Sequence, residues 1–296
     1  MTYNPGHCTL CPRKCGVNRK NALGFCGGGD KMKVARAALH LWEEPCISGK
    51  EGSGTVFFSG CTLSCLFCQN HEISHKRFGK EITEKELAAI AFDLKKQGAN
   101  NINLVTPDHY APQIRDALLP VKKELALPIA VNTGSYLSPL QLSLFEGLAD
   151  IYMPDFKFFT PESGKRYANA PDYPEVCLNA LEEMVRQVGS PVFDERGMLQ
   201  KGVIVRHLIL PGCRKESIAI LEKLKERFSP DELLLSLMSQ YTPIPGVPKD
   251  LDRRVTTFEY QSVLKVAEGL GFRGYFQDRA SASAEYTPAF DLTGVR

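Results

Sequence analysis

Ten cysteines stand in this chain of 296 residues; eight of them precede residue 70, seven of these in two tight clusters. Cys61, Cys65 and Cys68 form a C-x3-C-x2-C triplet, while Cys8, Cys11, Cys15 and Cys26 form a second group, C-x2-C-x3-C-x10-C. Three thiolates on one short loop can hold three irons of a 4Fe-4S cluster and leave the fourth open, whereas structural zinc takes four closed ligands in paired knuckles. An open iron can chelate a small molecule and pass it one electron, which a fully ligated cluster cannot do by direct contact. The amino-terminal four suffice to close either a structural zinc or a second iron-sulfur cluster, and a closed site would hold together a segment too small to fold alone. Cys46, Cys177 and Cys213 are scattered; Cys177 and Cys213 read as buried packing residues, and Cys46 is either buried as well or an extra ligand to one of the two groups.

The elements that must carry these groups follow from the rest of the chain. After residue 50, short β-rich runs at 54–58, 102–105, 128–131, 150–153, 202–209, 233–237 and 272–276 alternate with amphipathic stretches at 83–96, 111–125, 139–148, 174–188, 215–228 and 257–270. The stretch at 83–96 opens with the capping box Thr83-Glu84-Lys85-Glu86. Strands alternating with helices imply parallel β with right-handed crossovers. Six or seven units are too few for a closed eight-fold barrel, so the expected fold is α/β, a partial (β/α)6 TIM-like barrel with a Cys-rich amino-terminal extension. The expected segments are residues 1–50 as the Cys-rich metal-binding part, 51–276 as the barrel and 277–296 as a tail. In either parallel architecture ligands sit at the carboxyl ends of the strands, and the strand Gly-Thr-Val-Phe-Phe-Ser-Gly delivers the chain directly into Cys61.

Composition excludes several classes. With 36 Lys and Arg against 34 Asp and Glu the net charge is +2, which argues for neither a nucleic acid nor an anionic membrane as partner. No apolar run approaches the roughly 18 residues of a membrane span, and Met-Thr-Tyr-Asn-Pro-Gly-His-Cys lacks the layout of a secretory signal. The expectation is a soluble cytoplasmic protein whose crowded cysteines bind metal in a reducing compartment and do not form disulfides.

The triplet, with aromatic Phe67 before its third Cys, resembles the signature of the radical S-adenosylmethionine (radical SAM) enzymes. Similarity to the uncharacterised group named by analogy with pyruvate formate-lyase activating enzyme extends over nearly the whole chain. It is carried by Cys11-Pro-Arg-Lys-Cys15-Gly-Val-Asn-Arg19, Glu43-Glu-Pro-Cys46-Ile-Ser-Gly49, Cys68-Gln-Asn70, Leu104-Val-Thr-Pro-Asp-His-Tyr110, Asp155-Phe-Lys157, Arg206-His-Leu-Ile-Leu-Pro-Gly212 and Leu237-Met-Ser-Gln-Tyr241. The resemblance implies that Cys61, Cys65 and Cys68 bind a 4Fe-4S cluster, with the amino and carboxylate groups of SAM on its fourth iron. Reductive cleavage would give methionine and a 5'-deoxyadenosyl radical that abstracts hydrogen from a substrate. It implies too a flavodoxin or ferredoxin as electron donor, and a small molecule, a peptide or a glycyl-radical protein as substrate, the last making the chain an activase. Phe67 and Asn70 count among the expected SAM-site residues.

Other strand ends supply further candidates. Where many radical SAM enzymes carry Gly-Gly-Glu, this chain has Val105-Thr106-Pro107-Asp108-His109-Tyr110; Thr106 offers a hydroxyl and a carbonyl, and His109 is either a proton carrier or a helix cap or filler of a polar pocket. Asn132, in Asn132-Thr133-Gly134-Ser135, either reaches ribose hydroxyls or belongs to an ordinary turn. Asp155 and Lys157 share a face of an extended segment. The resemblance pairs Lys157 with the SAM carboxylate, and the alternative is a buried ion pair. Of Arg206 and His207 only one can face the lumen, and Arg206 is assigned to anion binding. A reading from another class is a non-enzymatic iron-sulfur carrier or zinc-binding interaction module, which has no organic cofactor pocket.

Overall fold

A computed structural model describes residues 3–276 and 288–295. Its strands are β1 (Met32–His40), β2 (Ser53–Phe58), β3 (Lys80–Ile82), β4 (Ile102–Val105), β5 (Ile129–Thr133), β6 (Ile151–Pro154), β7 (Val192–Phe193), β8 (Leu199–Leu208), β9 (Leu234–Met238) and β10 (Gly274–Phe276). They form one sheet in the order β10-β9-β8-β6-β5-β4-β2-β1-β3, with β7 paired to β8 alone. From β2 to β10 the neighbours are parallel, and each successive parallel strand lies beside the one before. The sheet is singly wound, as in a barrel, and is open between β10 and β3.

The parallel strands read as continuous apolar runs because both their faces are covered. Every residue of β2, β4, β5 and β6 is buried. Val131, Tyr152, Val203 and Leu235 join the main core with the helices, whereas Ala130, Ile151, Ile204 and Leu234 point the other way, onto Cys46 and Ile47. Those two belong to the short helix α1 (Pro45–Ser48), which closes the inner side of the sheet. The period of two along each strand thus separates a helical side from a lumen.

The connecting helices are α2 (His71–Ser74), α3 (Glu84–Lys96), α4 (Ala111–Leu118), α5 (Lys122–Leu125), α6 (Pro139–Phe145), α7 (Pro161–Ala168), α8 (Tyr173–Val188), α9 (Arg214–Arg227) and α10 (Thr257–Gly269). Reciprocal capping boxes start α3, α6 and α10 at Thr83/Glu86, Ser138/Gln141 and Thr256/Glu259. The single helix expected over 111–125 is two, because the ring of Pro120 removes a backbone donor and clashes with the preceding turn.

Two expectations about the ends of the chain differ from what is observed. Residues 32–40 lie in the stretch expected to be a separate Cys-rich segment, yet they form β1, antiparallel to β2 and β3. Of the expected tail at 277–296, residues 277–287 and 296 lie outside the described residues. Residues 288–295 run along β1: Ala37 N donates to Thr293 O (2.8 Å), Leu292 N to Ala35 O (3.0 Å), and Arg36 pairs with Asp291 (2.8 Å). Phe290 packs edge-on against Phe57 at 5.5 Å between ring centres.

Candidate functional site

The carboxyl ends of six consecutive parallel strands converge on one cavity of about 320 Å³, within the ~300–1,000 Å³ usual for ligand pockets. β2 leads to Cys61, Cys65, Phe67, Cys68 and Asn70; β4 to Thr106; β5 to Asn132; the stretch after β6 to Asp155 and Lys157; β8 to Arg206; β9 to Ser236 and Met238. All three cysteines of the triplet line it together with Phe67, Asn70, Thr106, Asn132, Asp155, Lys157 and Arg206.

The loop that carries the triplet is shaped by its own backbone. Ser64 sits at φ +56° and Gly60 at φ +91°. Leu63 N lies 3.4 Å from Cys61 Sγ and Ser74 Oγ 3.2 Å from Cys68 Sγ, donors of the kind that stabilise thiolate charge. Burial pushes the Cys61 thiol up to about 11 and raises Cys65 and Cys68 as well, so metal binding has to displace protons. Among the described residues no three His, Cys, Asp or Glu side chains converge on a single-ion site. A four-iron cluster makes no such demand, because each thiolate takes a different iron.

Lys157 Nζ lies 2.5 Å from Asp155 Oδ2, and Arg206 reaches Asp155 at 2.9 Å and Glu43 at 3.3 Å. Arg206 also donates to Asn132 Oδ1, and Asn103 Nδ2 to Glu43 Oε1 at 3.1 Å. Burial works against the charge on Lys157, yet Asp155 outweighs it and the ammonium is held above its usual range. Asp155 is likewise opposed by burial and held low by Arg206 and Lys157. The period of two puts Arg206 in the lumen and turns His207 toward α9, where its ring bonds Phe156 O (2.7 Å) and Ser217 Oγ (2.9 Å). Thr106 holds φ +57°, an uncommon conformation for a β-branched residue, while its backbone N donates to Asn132 O at 2.8 Å. Such strain concentrates at binding sites.

His109, expected as a proton carrier, is not brought to this cavity. Residues Asp108–Tyr110 form a 3-10 turn, and His109, 1% exposed, points toward the Cys-rich segment with Nε2 2.9 Å from Ser59 O. Burial, reinforced by Arg19, pushes its pKa down to about 3, so at neutral pH the ring is uncharged. It borders instead the small space lined by Cys8, Cys11, Cys15 and Cys26. Three of those four thiols are buried and Cys15 is exposed. The segment docks on the triplet loop: Cys61 N donates to Cys26 O at 2.9 Å, and Arg13 donates to Thr62 O (2.8 Å) and Ala168 O (2.9 Å).

The cavity also contains residues to which sequence reasoning gave no role: Glu43, Glu44, Ser236 and Trp42. The pair Glu43-Glu44 before Pro45 was visible as two adjacent acids, but nothing local says they are buried. Burial raises the pKa of both carboxyls.

An open, singly wound α/β sheet with a cysteine triplet at its strand ends defines a barrel-like class of fold, and the chain belongs to the radical SAM superfamily, whose model matches residues 55–200. An uncharacterised protein of Methanocaldococcus jannaschii is 30% identical over 280 residues, covering 88% of this chain and 74% of that protein. Among solved structures, methylornithine synthase (PylB) superposes with a TM-score of 0.51 over 87% of this chain and 74% of that one. Its 15% identity speaks for the fold alone. SuiB of Streptococcus suis, solved bound to S-adenosylmethionine, gives a TM-score of 0.47 at 12% identity over 74% of this chain, and the match spans only 48% of SuiB. Among the described residues no helix is long and apolar enough to cross a membrane.

Proposed function

We propose that the cavity holds a 4Fe-4S cluster on Cys61, Cys65 and Cys68 with SAM beside it, and that the chain abstracts hydrogen from a substrate. The carrying observation is that three thiols of one loop and the Asp155-Lys157-Arg206 ion network line the same 320 Å³ space. A bare electron carrier or zinc module has no use for such a cavity. When bound and reduced, the cluster supplies the electron that splits SAM into methionine and a 5'-deoxyadenosyl radical. In this reading Lys157 holds the SAM carboxylate, Asp155 fixes the Lys157 ammonium, and Arg206 keeps Asp155 ionised. Asn132 and Asn70 orient polar groups of the ligand, Thr106 offers its strained backbone, and Phe67, packed edge-on against Phe158 (6.1 Å) and Tyr241 (6.2 Å), walls the cluster from water. The four amino-terminal cysteines line one small space and hold a second metal centre, iron-sulfur as they stand or zinc if the thiols draw in to a common point, and the reductant is a flavodoxin or ferredoxin. Anaerobic reconstitution with iron and sulfide, followed by measurement of SAM binding and of 5'-deoxyadenosine under reduction, tests the reading. Absence of both in a cluster-loaded protein contradicts it.

A further inference from the structure

The floor of the cavity is not part of the matched family domain. Glu43 and Glu44 lie before residue 55 and Ser236 after residue 200, yet all three line the same space as the cysteines. Chemistry shared across a superfamily belongs to the shared domain, so residues that enter the cavity from outside it are placed to serve the substrate rather than the common chemistry. Glu43 is already committed: Arg206 reaches it at 3.3 Å and Asn103 at 3.1 Å. Glu44 is not. It is 9% exposed, and its Oε2 is buried without a hydrogen-bond partner among the described residues. Arg206, the cation that acts on Glu44, makes its direct bonds to Asp155, Glu43 and Asn132. Lys157 is bonded to Asp155. Among the described residues three carboxyl groups, Glu43, Glu44 and Asp155, therefore line the cavity with two cations, Lys157 and Arg206, and Glu44 has no direct ion pair with either. A buried carboxylate oxygen with nothing to accept from is a costly arrangement, relieved when a ligand brings a donor, most of all a charged one.

We propose that Glu44, set beside a Glu43 anchored by Arg206, recognises a positively charged nitrogen of the substrate, so that the substrate is an amine- or guanidine-bearing molecule. The inference rests on the radical SAM reading of the cavity. The ammonium or guanidinium docks on Glu44 at the floor while the triplet loop lies at the strand ends, so the hydrogen to be abstracted sits on the carbon skeleton between them.

Trp42 is the only tryptophan of the chain and lines this cavity, which makes its fluorescence a reporter of occupancy that needs no SAM chemistry. The reconstituted protein is titrated with n-butylamine and n-butylguanidine and with their uncharged counterparts n-butanol and N-butylurea. The expected result is saturable change with the cationic probes at concentrations at least ten-fold below those of the neutral ones. Glu44→Gln should remove that preference, lowering affinity for the cationic probes at least ten-fold more than affinity for SAM. Equal binding of charged and neutral probes by the native protein overturns the inference, and needs no variant to fold. Equal loss of SAM and probe affinity in Glu44→Gln overturns it too, because Glu44 would then serve the SAM amino group. If the same preparation makes 5'-deoxyadenosine while ignoring charge on the probes, the substrate assignment fails alone and the radical SAM reading stands.

Discussion

At Lys157 an ammonium group whose side chain is 23% exposed faces Asp155 at 2.5 Å, and Asp155 has Arg206 as a second partner at 2.9 Å. Removing Lys157 therefore leaves Asp155 paired, and Lys157→Met should cost little stability. Its cost should appear in binding: a charge-assisted hydrogen bond is worth about 1.5–3 kcal/mol, so SAM affinity should fall roughly ten- to a hundred-fold with the cluster absorbance unchanged. Calorimetric titration with SAM checks this, and unchanged affinity removes Lys157 from the ligand site. Asp155→Asn should show the larger fall in melting temperature, since it leaves Lys157 and Arg206 facing each other across a neutral amide. His109 belongs to stability. Its folded pKa of about 3 lies below the ordinary value of about 6.5, so between those pH values the unfolded chain binds the extra proton and stability falls as the pH drops. The slope from this one group is at most about 1.4 kcal/mol per pH unit. His109→Gln should flatten the loss of stability from pH 6.5 downward and leave the pH profile of SAM cleavage between 6 and 8 unaltered. A changed profile would return His109 to the reaction.

Gly60 decides how the elements meet. It links β2 to the triplet at φ +91°, and a Cβ there would stand 2.2 Å from Cys26 O, the acceptor of Cys61 N. Gly60→Ala should destabilise by more than about 1 kcal/mol and lift the Cys-rich segment off the loop, read as a lower melting temperature and faster amide exchange at Cys61. Native-like exchange would mean the contact is incidental. The same region shows how far an unaligned sequence can be read. β2, β4, β5 and β6 were legible because continuous burial leaves apolar runs, and the triplet was legible because its three cysteines sit within one loop. β1 was not: Met-Lys-Val-Ala-Arg-Ala-Ala-Leu-His mixes alanines of helical propensity into a stretch already dominated by cysteines and glycines. β3, three residues long, has no period to detect. Glu43 was not legible as a site residue because its partner Arg206 is 163 positions away, a pairing that only the folded sheet creates. His109 misled because the sequence gives the order of residues after β4 but not the 3-10 turn that swings the ring away from the cavity.

Across the molecule, the Cys-rich segment attaches to the triplet loop through Arg13 and Cys26, and residues 288–295 attach to β1 and β2 through Asp291 and Phe290. Replacing Cys8, Cys11, Cys15 and Cys26 together by Ser should lower the melting temperature while the triplet still assembles its cluster. Metal analysis then identifies the second centre, since loss of zinc alone marks a structural zinc and loss of four irons marks a second cluster. A variant that keeps the native metal content would show that the segment binds none. The central claim is that the triplet loop and the cavity beside it make one SAM-cleaving site. It is tested most directly by quantifying 5'-deoxyadenosine from anaerobically reconstituted, dithionite-reduced protein supplied with SAM, alongside Cys61→Ala, Cys65→Ala and Cys68→Ala. The account predicts product from the native chain and none from the three variants; native-level product from any of them, or none from a native chain shown to carry its cluster, would contradict it.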